Sequence, residues 1–430
     1  MKAMNIIIKN SRLIDPATSA DKVADILIKD GIIEKIESDI SVEAIGKTAS
    51  DYEIIDATGL TAFPGLCDIH VHFRDPGWPA KETIESGTQA ALTGGVTTVV
   101  NMANTNPVTD NPDTIRYILD KGEKSPINLL QNSAITVGLS GQEIVDTDAN
   151  LAAGAIGFSD DGIPITDVSV MKKAMEEVLR CDKILSLHEE LPQLLFSQGV
   201  NFGEVSKKVG VAGAPAIAES AIVERDLLLQ KDIPAHLHFQ HLSAARSVEL
   251  IRDAKKNGQK VTCEVTSQHL TLTEDVVLEV GAVGRINPPI RTEADRQELI
   301  KGVVDGTIDC IVTDHAPHTA EEKSKPIGQA PSGMIGLETS LSIAFHTLVK
   351  GGYIDRIRLA ELMSVNPAAL YGINKGISVG LPADITLFDE DEKYVYSNPV
   401  STSKNSPFLG KELTGKVKYV ITKNEVHRIK

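Results

Sequence analysis

Short runs of apolar, largely β-branched residues recur through the middle of this chain, and most are followed by a longer stretch with helical spacing of its apolar positions. The first pattern predicts strands and the second helices, so their alternation predicts repeated βα units. Eight strands are predicted, at 66–71, 96–102, 127–135, 155–158, 183–187, 235–241, 260–265 and 309–312. Helical periodicity is clear at 82–92, 168–179, 215–230, 244–256 and 294–304. Eight strands separated by helices argue for an α/β fold of the closed (β/α)8, or TIM-barrel, type; the pattern alone leaves an open doubly wound sheet as the alternative.

The two ends of the chain follow another pattern. Residues 26–33 place Asp30-Gly31 as a turn between two apolar runs, and residues 417–426 repeat the design around Lys423-Asn424, both signals of an antiparallel hairpin. Neither end is long enough to bury a core alone, so a single small β-sandwich built from both is expected. The expected division is 1–62 with 373–430 for the sandwich and 63–372 for the barrel. A length of 430 residues suits two such domains.

Composition narrows the function. With 42% hydrophobic and 24% charged residues the chain has the profile of a globular protein, which excludes disordered and fibrous classes. A formal charge of −16 with scattered basic residues gives no footprint for nucleic acid or an anionic membrane, so an anionic ligand must be held by local charge. The four cysteines, Cys67, Cys181, Cys263 and Cys310, are far apart and form no CxxC pair, which suits free thiols in a reducing compartment. No apolar run approaches the ~18 residues of a membrane span, and the start, MKAMNIIIKN, has no leader-like segment. A cytoplasmic protein is expected.

In a (β/α)8 barrel, reactive groups sit at the C-terminal ends of the strands. Here the first strand ends in His70-Val71-His72, the fourth in Ser159-Asp160-Asp161, the fifth in His188-Glu189, the sixth in His241 and the eighth in Thr313-Asp314-His315. Residues two apart on a strand share a face, so His70 and His72 can chelate together. Imidazoles with carboxylates form a nitrogen and oxygen set suited to zinc or a similar divalent ion, and six candidate ligands fit two ions better than one. Each piece alone has an ordinary structural explanation; an Asp-Asp-Gly sequence, for instance, is also a turn signal. It is the coincidence across five strand ends that points to a metal site. The remaining histidines are expected to be structural. Alternation from an inward His241 sends His236 and His238 toward the helices, His346 and His427 lie in a helical run and a terminal hairpin, and only His269 could approach the pocket.

These residues also carry a family resemblance. The segment from Pro64 to Gly77, PGLCDIHVHFRDPG, resembles the first-strand signature of bacterial-type dihydroorotases within the amidohydrolase superfamily, and Asp314-His315-Ala316-Pro317-His318 resembles their eighth-strand signature. Asn101–Thr105, Arg285–Pro289 and Asn366-Pro367-Ala368 agree, so the resemblance spans essentially the whole chain. It implies two zinc ions per subunit: His70, His72, Asp161 and Asp314 as ligands of one, Asp161, His188 and His241 as ligands of the other. Asp161 would then be the bridge, where hydantoinases and allantoinases use a carboxylated lysine. The residues alone do not choose between Asp160 and Asp161; the motif match does. Implied substrate contacts are His72, Phe73, Arg74, Asn104, Asn287 and His318, with backbone at Ser332 and Gly333.

Arg74 shares the parity of His70 and His72, and its planar fork suits a carboxylate. The implied chemistry is reversible ring opening of dihydroorotate to N-carbamoyl-aspartate in pyrimidine synthesis. Zinc lowers the pKa of bound water to about 7, which supplies a hydroxide nucleophile, and Asp314 would be the general acid/base. A homodimer is expected, with aspartate transcarbamoylase as a candidate partner. The rival expectations are a hydantoinase-like or allantoinase-like hydrolase, against which the missing lysine and Arg74 argue, and a silent assembly partner, against which the retained histidines argue.

Overall fold

The computed structural model describes residues 5–41 and 52–430; residues 1–4 and 42–51 of the expected terminal domain lie outside the described residues. The chain opens with β1 (Ile6–Asp15), β2 (Ala20–Lys29), β3 (Ile32–Glu37), β4 (Glu53–Asp56) and β5 (Leu60–Pro64). Eight strands follow through the middle of the chain: β6 (Leu66–Val71), β7 (Val96–Asn101), β8 (Asn128–Gln131), β9 (Phe158–Ser159), β10 (Ile184–Leu187), β11 (His236–Phe239), β12 (Val261–Thr266) and β13 (Cys310–Val312). It closes with β14 (Ile385–Val395), β15 (Glu412–Thr422) and β16 (Glu425–Arg428).

The first and last groups pair into one sheet of order β16-β15-β14-β5-β1-β2-β3, with β4 beside β1. The hairpins read from the sequence are both present. Asp30 and Gly31 have φ of 50° and 79°, and Lys423 and Asn424 have 47° and 62°, the left-handed pair that a tight two-residue turn requires. Strand β1 pairs with β4 along its first half and with β5 along its second, across an irregularity between Ile8 and Ser11. Ile6, Ile26, Ile28, Ile385, Leu387 and Ile421 belong to one buried cluster within this sheet domain, so both chain ends contribute to a single core.

The middle strands run parallel in two blocks, β6-β7-β8 and β9 to β13. Parallel bridges join Ser133 to Phe158 and Val71 to His315, and thereby close the blocks into a ring. The amide of His72 donates to the carbonyl of His315 at 2.9 Å and that of Ser159 to the carbonyl of Ser133 at 2.8 Å. Helices cover the outside, started where the sequence supplies caps. Thr83 closes a capping box on Ile84–Thr93, Asn111 caps Pro112–Gly122, and Asp167 caps Val168–Arg180. Leu237 and Phe239 of β11 share a buried cluster with Val223, Leu227, Val248 and Ile251 of the helices Ile217–Asp232 and Ala245–Lys256. The polar ends of the strands are left to converge on one mouth.

Between β14 and β15 the chain leaves the sheet. Residues 396–411 run along the barrel, where Tyr396 and Phe408 share a buried cluster with Ile343. The amides of Val400 and Ser401 donate to the Glu338 carboxylate, and the Ser403 hydroxyl to the Lys81 carbonyl.

Candidate metal centre

Asp161 lies at the middle of the mouth. Its Oδ1 is 3.4 Å from Nε2 of His70, 3.6 Å from Nδ1 of His188 and 3.6 Å from Nε2 of His241, and its Oδ2 is 3.4 Å from Nε2 of His72. Asp314 completes the group: its Oδ1 is 2.9 Å from Nε2 of His72 and 3.7 Å from Nε2 of His70. All six residues lie deep in the mouth, with side chains 0–13% exposed. Donor atoms at these separations suit ligands that each stand ~2 Å from a shared cation. Two overlapping sets meet that condition, His70 with His72 and Asp314, and His70 with Asp161 and His241.

The donor atoms themselves supply the test of fit. Nε2 of His70 and Oδ1 of Asp161 are buried with no hydrogen-bond partner, although a buried polar atom left alone is costly. Nδ1 of His188 lies 2.9 Å from Nε2 of His241, which brings two imidazole nitrogens together beside Oδ1 of Asp161. Charge agrees with geometry. Burial alone would depress His188, but Asp161 and Glu190 outweigh it and push the imidazole up to about 10. Burial would raise Asp161, yet the surrounding histidines hold its carboxyl well below the ordinary range. The cluster therefore has a strong appetite for positive charge, and its residues fit a divalent metal.

Two of the six clustered residues sit at strained backbone positions. His241 has φ of 31° and Asp314 has φ of 47°, conformations uncommon outside glycine. The turn at His241 corrects the expected alternation. Strand β11 ends at Phe239, so parity does not carry through to His241, and His238 points into the barrel rather than toward the helices. There its Nε2 is 3.0 Å from Oε2 of Glu264, whose Oε1 is 2.5 Å from Nδ1 of His70 and accepts the His241 amide at 3.2 Å. Glu264, itself held by His238, orients His70 and His241, and sequence reasoning missed both Glu264 and His238. The available signal was a lone charged residue in the otherwise uncharged strand Val-Thr-Cys-Glu-Val-Thr.

The neighbouring aspartates have separate tasks. Asp160 accepts from the amides of Ile135 and Thr136 at 2.9 and 3.1 Å and also from the Thr136 hydroxyl, which fixes the loop, and Asp161 alone faces the imidazoles. Nδ1 of His72 meets Oδ1 of Asn104 at 2.8 Å, so His72 has both ring nitrogens engaged within the site. Arg74 is half-buried with its Nε unpartnered, in the field of Asp314 and Asp161; Oδ1 of Asn287 is buried and unpartnered as well. His318 sits with Nε2 2.9 Å from the Ser332 carbonyl, and burial followed by the Arg74 charge holds it down at about 3.

Other residues expected near the substrate have partners within the fold. The Phe73 ring lies in the main buried cluster and edge-on to His315, so its side chain is directed into the core. The amide of Gly333 already donates to the Arg285 carbonyl at 2.9 Å, and its carbonyl accepts from Asn405 at 3.1 Å. Gly333 has φ of 138°, and a Cβ there would meet the Ala316 carbonyl at 2.8 Å, so only glycine fits this close approach. His269 does not approach as a free group: its ring bonds Thr266 at 2.8 Å and the Pro288 carbonyl at 3.1 Å.

A closed parallel barrel whose strand ends bring histidines and aspartates to one metal-binding mouth defines an amidohydrolase-type, metal-dependent enzyme. The comparisons with known proteins agree. The dihydro-orotase-like family profile matches residues 59–247. The dihydroorotase of Lactococcus lactis is 45% identical over 425 residues, 98% of this chain and 99% of the relative, and that of Clostridioides difficile is 46% identical over the same shares. Among solved structures, the L-hydantoinase (dihydropyrimidinase) from Arthrobacter aurescens superposes with a TM-score of 0.85 at 28% identity, covering 98% of this chain and 96% of that one. The chain belongs to the bacterial-type dihydroorotase family of the amidohydrolase superfamily.

Proposed function

We infer that this protein is a dihydroorotase, interconverting dihydroorotate and N-carbamoyl-aspartate. Its near-full-length identity to dihydroorotases carries the inference, while the hydantoinase relation is more distant, at 28% identity. The proposed metals are two zinc ions, one on His70, His72, Asp161 and Asp314 and the other on Asp161, His188 and His241. Such ions lower the pKa of water to about 7 and polarise an amide carbonyl.

The chain's own residues supply the rest. Arg74, with its free guanidinium Nε, pairs with the ring carboxylate, and Asn287 and His318 flank the ring. His318 is neutral at ordinary pH, so it contributes hydrogen bonding and shape rather than a second charge. Asp314 is held ionised: burial opposes this, and the His72 hydrogen bond with the nearby imidazoles outweighs it. In that form it can accept a proton at its carboxylate and hand it to the leaving ring nitrogen, and the reverse path closes the ring. Arg74 gives the selectivity, because a neutral ring would cover the half-buried guanidinium without supplying its partner.

The proposal extends to a homodimer in the cytoplasm with aspartate transcarbamoylase as a partner to be sought by co-purification; no helix among the described residues is long and apolar enough to cross a membrane. It also divides the chain into a sheet domain of 1–62 with 373–430 and a barrel of 63–372. The test is Asp314→Ala: turnover of dihydroorotate should be lost, and near-normal rates would remove Asp314 from the mechanism.

A further inference from the structure

The substrate side of the mouth is held by a residue remote in sequence. Asn405 belongs to the excursion between β14 and β15 and is 4% exposed. Its Nδ2 donates to the carbonyls of Ala316 and Gly333, each at 3.1 Å, and its Oδ1 accepts the His318 amide at 3.2 Å. Its own carbonyl accepts the Ile335 amide at 3.1 Å. One side chain thereby ties together the segment after β13 that carries His318 and the segment that carries Ser332 and Gly333. These segments also meet through the Ala316 amide and the Met334 carbonyl at 2.9 Å.

The excursion is itself fastened. The Thr402 amide donates to Oε1 of Glu82 at 3.0 Å, and the Ser401 hydroxyl donates to Oε2 of the same carboxylate. Glu82 is fully buried and also holds Nε2 of His315 at 3.3 Å, next to Asp314. A surface loop with no task at the mouth would not require buried side chains joined to both substrate-side segments. We propose that Asn405 is a positioning residue for the reaction: it sets the spacing between His318 and Gly333 and so prearranges the ring-binding wall. The proposal rests on the reading of His318 as a substrate contact.

The test compares Asn405→Ala and Asn405→Asp holoenzymes for KM and kcat on dihydroorotate, bound metal and melting temperature. Aspartate keeps the acceptor for the His318 amide and loses both donated bonds in nearly the same volume, so it covers the case in which the alanine variant folds poorly. Both variants should raise KM by about tenfold, with kcat within about twofold and metal content unchanged. In a His318→Ala background the penalty of Asn405→Asp should shrink to under about threefold, since the two residues act through one group. An unchanged KM in the aspartate variant, a penalty equally large without His318, or a loss falling on kcat and metal together overturns the proposal. Failure of the underlying reading has its own signature, His318→Ala with wild-type KM.

Discussion

Glu264 shows how a residue that touches no reacting atom governs those that do. Burial would raise its carboxyl, but His70 and His238 beside it hold it far below the ordinary range, so it stands as a fixed anion behind the centre. A carboxylate on the far nitrogen of a metal-binding imidazole fixes the tautomer and raises ligand basicity. Glu264→Gln keeps the shape and removes the charge, and metal affinity should fall by about 10–100-fold; metal retained after dialysis, measured by elemental analysis, checks this, and full retention would count against the role. Arg74 is the opposite case, a charge in want of a partner. Arg74→Ala should raise KM for dihydroorotate by about 10–100-fold, the worth of a hydrogen bond to a charged group, with metal content intact; loss of metal instead would mean that Arg74 supports the centre rather than the substrate.

At the scale of elements, the chain's pattern gives β6 to the residue and finds every barrel strand, but it draws several of them too long. Residues 127–135 form a strand only over Asn128–Gln131, and 235–241 only over His236–Phe239. The pairing stops where polar residues turn toward the mouth, and hydropathy does not register that turn. The misreading of His238 follows from the same cause, because the period of two ends before His241 bends at positive φ. His238→Leu distinguishes the two orientations. A helix-facing site would accept leucine, whereas the inward site leaves Oε2 of Glu264 without its donor, and stability should fall by about 1–3 kcal/mol. Chemical denaturation measures this, and an unchanged midpoint would restore the helix-facing orientation.

At the scale of the whole molecule, the strand-end residues were legible because each interrupts an apolar run, and the two-ended sheet was legible from its turns. Asn405 was not, since nothing in Ser-Lys-Asn-Ser marks a residue that reaches the barrel mouth from outside the barrel sequence. The barrel's own strand ends are drawn together by a centre that a metal would cross-link. Removing metal with a chelator should therefore lower the melting temperature, with up to ~4 kcal/mol lost for a site held at a thousand times its dissociation constant; identical melting curves would mean that metal does not brace the barrel. The central claim is metal-dependent opening of a ring that bears a carboxylate. It is tested most directly by assaying metal-replete and metal-stripped protein on dihydroorotate, hydantoin and allantoin side by side. The account predicts turnover of dihydroorotate well above that of the two uncharged rings, lost on stripping and restored by zinc; preference for hydantoin or allantoin, or full activity without metal, would contradict it.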